Sequence, residues 1–168
     1  QKDFFKSAME RSAKSKIKAY AFTEPDQNKN KAFIDKLLQH KVEVIKTAEN
    51  SFAVPTQQPQ YRMVQTFFET YENYRDSVYY DASAWSVANF YNIKYNSLTK
   101  VPAGTPVVSI KNIIALKHLE PSSYAYAIDA KDYNVPAFIF DAQQHKIVVA
   151  SAFKPFSTKE NKDFSYGS

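Results

Sequence analysis

The residues best placed to do chemistry lie in two short stretches. One is Gln58-Pro59-Gln60-Tyr61-Arg62. The other is Tyr79-Tyr80-Asp81-Ala82-Ser83-Ala84-Trp85, which holds the only Trp of the chain. Between them they offer an amide, a guanidinium, a carboxylate, a hydroxyl and an indole. The spacing predicts that an extended run closes at Val54-Pro55 and another at Tyr79-Tyr80, each followed by a helix start. In open α/β sheets, ligands bind where strand ends meet the helices after them. If the two strands run parallel, both helix N-termini point the same way and their free N–H groups line one crevice. Gln58, Arg62, Asp81 and Ser83 would then converge beside Trp85, and the crevice would favour an anion or carboxylate. These five are the candidate ligand-binding residues.

Each has a plainer reading. Ser83 occupies the place of a strand-to-helix nucleophile, with Asp81 as its orienter, yet Asp and Ser are ordinary helix caps. Arg62 could bind a ligand carboxylate, but an ion pair with Asp81, tying helix to strand end, explains it equally. Trp85 reads as core. No general base is identifiable for Ser83. None of the three histidines, His40, His118 and His145, stands in a completed zinc motif, although Glu43 lies three residues after His40. His40 reads as a helix-terminal cation suited to the dipole.

Several chemistries are excluded by composition. With no Cys, this chain has no disulfide, thiolate metal site or Cys nucleophile of its own. The only glycines are Gly104 and Gly167, too few for a dinucleotide fingerprint or P-loop, and no Gly-x-Ser-x-Gly elbow occurs. The net charge of +5 comes from scattered lysines rather than a patch, so nucleic acid is not an expected partner. No apolar run approaches the roughly 18 to 20 residues of a membrane span. Gln1-Lys2-Asp3 leads into no apolar h-region, and the chain reads as an excised piece of a longer one.

The positioning elements follow from periodicity. A helical lead-in covers residues 3–14. Ile17 to Thr23 reads as a strand with little polar alternation, as expected of one covered on both faces. Asp26 caps a helix through Gln39. Strands are expected at Val42–Ile45 and Ser51–Val54, a helix from Gln60 to Tyr74, a strand at Ser77–Tyr80 and a short helix from Ser83 to Phe90. Residues 92–122 read as an inserted segment containing a strand at Pro106–Ile110, and Ser123–Asp129 reads as a strand. Pro136 to Gln144 fits either half of a hairpin or a helix opened by Pro136, followed by a strand at Ile147–Ala150. The alternation of strand and helix favours the helix. It also predicts a single α/β domain over 1–168 with a mostly parallel sheet and helices on its faces.

Taken together, Ala53-Val54-Pro55, Gln58-Pro59-Gln60-Tyr61-Arg62, Tyr80-Asp81-Ala82-Ser83-Ala84-Trp85, Lys154-Pro155-Phe156 and Phe164-Ser165-Tyr166-Gly167-Ser168 form a recognisable pattern. It resembles the region that follows the peptidase domain in secreted zinc-carboxypeptidase-like proteins of Bacteroidetes-type bacteria. The resemblance runs from about Lys16 to the end, and Tyr-Asp-x-Ser-x-Trp is its most specific part. It implies a three-layer flavodoxin-like sandwich of the class I glutamine amidotransferase type. It also implies a periplasmic or secreted location, an upstream peptidase domain as partner, and zinc held in that domain by a His-x-x-Glu pair and a later His. The resemblance places those ligands upstream of this region, so the implied role is a non-catalytic accessory domain of a metallocarboxypeptidase. Without Cys, amidotransferase hydrolysis by its usual route is excluded. Two alternatives are a degenerate hydrolase using Ser83 and a binding module for a small ligand or another protein.

Overall fold

A computed structural model describes residues 2–70, 86–112, 119–159 and 162–168. The chain divides into two compact units, Gln1–Ile114 and Ala115–Ser168.

The first unit begins with α1 (Lys2–Lys14), then β1 (Ala19–Thr23) and α2 (Gln27–Gln39). The Asp26 carboxylate accepts from the Asn28 and Lys29 N–H groups, two of the donors that a helix start leaves unmatched. Glu24 folds over the same turn: its carboxylate accepts from the Asp26 N–H and pairs with Lys29 at 3.1 Å. After α2 come β2 (Ile45–Ala48) and β3 (Ser51–Pro55), α3 (Tyr61–Phe68), α4 (Val87–Phe90), β4 (Tyr95–Leu98) and β5 (Thr105–Pro106). The Ser86 hydroxyl caps α4 by accepting from the Asn89 N–H.

The sheet order is β4-β1-β3-β2-β5, and every pairing is antiparallel. A mostly parallel flavodoxin-like or amidotransferase-like sandwich is therefore not what the chain forms. The reason lies in one turn. Only Glu49 and Asn50 separate β2 from β3, and Asn50 adopts φ +55°, which Asn tolerates better than most residues. Two residues can join antiparallel strands, whereas a parallel connection needs a crossover of a dozen or more. The hairpin strand β2 begins at Ile45, where the sequence pattern had placed the end of the Val42–Ile45 strand. With that shift, the strand–helix alternation resolves differently. β1 and β2 run parallel with β3 inserted between them, and β3 and β4 run parallel with β1 between them. The result is a βαββαβ chain with sheet order 4-1-3-2, the split arrangement of ferredoxin-like sheets, with β5 added beside β2.

The weak polar alternation of β1 also finds its explanation. Register pairs Phe22 with Phe52 and Tyr20 with Val54 on one face, and Ala21 with Ala53 on the other. The first face carries the core. Phe33 and Leu37 from α2, and Val64, Phe67 and Phe68 from α3, bury against it. Phe33 is the hub, with ring contacts to Phe22, Phe67, Phe68 and Tyr91. Tyr20 stacks on Phe68, and the Tyr95 hydroxyl donates to the Phe68 carbonyl.

The second unit contains α5 (Val135–Gln144), which opens with Pro136 in its first turn, and a short pair, β6 (Phe156–Ser157) with β7 (Asp163–Phe164). The strands expected at Ser123–Asp129 and Ile147–Ala150 are not formed. Local hydroxyls take over the first: the Ser122 hydroxyl donates to the Ala125 carbonyl and accepts from the Tyr124 and Ala125 N–H groups. The Tyr126 hydroxyl bridges the Ser122 N–H and the Glu120 carbonyl. Such side-chain bonds compete with a ladder for the backbone. At the second, the Ile147 N–H bonds back to Ala142 and closes the end of α5. The strand expected at Pro106–Ile110 is confined to Thr105–Pro106, with a 3-10 turn at Ile110–Asn112.

Candidate functional site

Of the five candidate residues, Gln58 and Arg62 fall among the described ones. Asp81, Ser83 and Trp85 lie outside them, as do Tyr79 and Tyr80, so their convergence with Gln58 and Arg62 is not described.

Gln58 follows the end of β3 and is 1% exposed. Its amide is engaged on both sides. Oε1 accepts from the Glu43 N–H at 2.8 Å, and Nε2 donates to the Pro55 carbonyl at 2.6 Å and, more weakly, to the Glu43 carbonyl at 3.4 Å. The sheet explains why. Ile45 pairs with Ala53, and continuing that register by two residues sets Glu43 opposite Pro55. Proline has no N–H and ends the ladder. The Gln58 amide supplies both a donor and an acceptor at that end, in the manner of a missing peptide group. Thr56, fully buried, closes the other side: its N–H and hydroxyl donate to the Lys18 and Ile17 carbonyls. Gln58 is thereby a pin between the end of β3 and the lead-in to β2.

Arg62 lies in the first turn of α3. Its guanidinium sits over the Phe4 ring, 4.8 Å from the centroid, and Nη2 donates to the Ser7 hydroxyl at 3.3 Å. Both partners belong to α1, so Arg62 ties α1 to α3. No carboxylate among the described residues pairs with it, and its Nε–H is shielded from solvent without an acceptor. A buried donor left unmatched costs about 1–3 kcal/mol, more when it is charged. Beside it opens a pocket of about 160 Å³ lined by Phe4, Pro59, Gln60, Arg62, Met63 and Thr66.

Sequence reasoning missed the tie between Arg62 and α1. The two residues it joins, Ser7 and Phe4, are more than fifty positions away, and nothing in their local pattern marks them as partners.

His40 ends α2 as expected, and its ring packs edge-on against Phe67. His145 ends α5, with Nδ1 2.9 Å from the Asp141 carbonyl. Among the described residues, no group of three His, Cys, Asp or Glu gathers closely enough to hold a metal ion, and no helix is long and apolar enough to cross a membrane. Among the described residues, one titratable group is clearly perturbed: the Tyr20 phenol is pushed far above its usual range, first by burial and then by the nearby Glu69 carboxylate and the phenols of Tyr61 and Tyr95. Its place in the core makes it a packing residue.

What the first unit defines is a small mixed α/β domain on an antiparallel sheet, with a helix-tying arginine beside a shallow pocket. No family model, curated protein or solved structure matches the chain.

Proposed function

We propose that the chain is a non-catalytic accessory domain of a larger zinc-carboxypeptidase-like protein, one that supports an upstream peptidase domain or presents substrate to it. The parent identity rests on the quoted Gln-Pro-Gln-Tyr-Arg and Tyr-Asp-x-Ser-x-Trp segments alone, because the fold that this resemblance implies is not the one formed. The non-catalytic role rests on one observation. Gln58, a buried polar group of the expected crevice, has its amide committed to the backbone of Glu43 and Pro55. A side chain held so cannot also turn to a substrate.

The test is direct. The purified chain is incubated with peptides carrying free C-termini, with and without added zinc. Robust zinc-dependent release of C-terminal amino acids overturns the non-catalytic reading. The parent identity is tested separately by reading the residues encoded upstream: a peptidase domain with a His-x-x-Glu pair supports it, and an upstream region without one removes it.

A further inference from the structure

We infer that the pocket beside Arg62 is a binding site for a single carboxylate group carried on an apolar body. This goes beyond the accessory role and does not rest on it. Three features point there. First, the guanidinium is positioned in advance. The Phe4 face and the Ser7 hydroxyl hold it against α1, so part of its side-chain freedom is already lost before binding. Second, none of the described carboxylates pairs with it. A planar guanidinium is the geometry that takes two carboxylate oxygens side by side. Third, the adjoining walls suit what a carboxylate would carry. Phe4, Pro59 and Met63 are apolar, and the Gln60 amide supplies a polar group at the same pocket.

The size and charge select the class. About 160 Å³ holds a small side chain rather than a nucleotide or sugar chain. A single arginine with no second cation in the lining suits one negative charge, not a phosphate dianion. The carboxylate could belong to the C-terminus of a peptide or to an Asp or Glu side chain, and the two sources are separable.

The experiment follows the Arg62 Nε–H resonance of the intact chain by NMR. The probes are N-acetyl-leucine, which presents a terminal carboxylate, N-acetyl-glutamate amidated at its α-carboxyl only, which presents a side-chain carboxylate, the uncharged N-acetyl-leucine amide, and inorganic phosphate. A saturable downfield shift with one of the carboxylates, at least about tenfold weaker with the uncharged amide, is expected; the stronger of the two carboxylates names the source. No shift with either carboxylate overturns the site, as does an equal shift with the amide. Tighter binding of phosphate overturns the carboxylate assignment. Arg62→Gln should abolish binding. Because that change also loosens α1, Met63→Ser serves as the second variant. It keeps the guanidinium and its Ser7 and Phe4 contacts while removing an apolar wall, and should weaken N-acetyl-leucine several-fold. Unchanged affinity in both variants would place any binding elsewhere and overturn the proposal.

Discussion

Replacing Gln58 tests whether a side chain stands in for the ladder hydrogen bond that Pro55, without an N–H, cannot make. In Gln58→Leu the volume is roughly kept and the amide is lost. The Pro55 carbonyl then loses a 2.6 Å donor and the Glu43 N–H a 2.8 Å acceptor. Each such bond contributes about 1 kcal/mol net, and leaving its partner unmatched adds a part of the 1–3 kcal/mol desolvation cost. Glu43 is an exposed residue, so water can reach its backbone and the lower end of that range applies there. The sum is a loss of about 2–3 kcal/mol, or about 10 °C or more in Tm for a unit of this size, read by urea and thermal unfolding followed by circular dichroism. Gln58→Glu sharpens the test. The introduced carboxyl can replace the amide only while protonated, donating to the Pro55 carbonyl through its O–H. Folding then raises its pKa above the unfolded value near 4.3. Its stabilising contribution is therefore present in full below about pH 4 and lost as pH rises through the folded pKa. Relative to the unaltered chain, Gln58→Glu should be severely unstable at neutral pH and recover on acidification. A Gln58→Leu loss under about 0.5 kcal/mol, or a Gln58→Glu penalty independent of pH, would refute the reasoning.

Four further outcomes are expected. Asp26→Ala should lower stability by about 1 kcal/mol and speed hydrogen exchange at the Asn28 and Lys29 amides, because both lose their acceptor. Phe33→Ala, at the fully buried hub of the aromatic core, should cost about 3–5 kcal/mol in denaturant unfolding. Gly104→Ala should loosen β5 and raise exchange at the Val107 amide, which bonds to Val44, since the added Cβ would lie 2.5 Å from the Lys46 carbonyl oxygen. At alkaline pH, the raised pKa of Tyr20 means that its neutral phenol stabilises the fold fully below the unfolded value of about 10 and that this contribution is lost as pH climbs above it; Tyr20→Phe should flatten that part of the stability curve, measured by unfolding at stepped pH.

The sequence by itself determined the local elements. Phe33, Ile34, Leu37 and Leu38 recur at helical spacing, and Asp26 is a capping residue before them, so α2 and its cap were legible. Tyr61, Val64, Phe67 and Phe68 marked the buried face of α3 in the same way, and Pro136 marked the first turn of α5. These signals are local because helix hydrogen bonds and caps are made within a few residues. Strand partners are not local. Ala19 to Phe22 reads as a strand in a parallel or an antiparallel sheet alike, and only the two-residue Glu49-Asn50 turn, visible once β2 is set at Ile45, decides the direction. The same holds for the candidate site. Gln58 and Arg62 were singled out by type and position, but their tasks depend on partners far away in the chain: the Glu43 backbone for one, Phe4 and Ser7 for the other. A polar side chain's role is set by what burial places against it, and only the tertiary structure brings Pro55, with its missing N–H, opposite Glu43 and Arg62 against the face of Phe4.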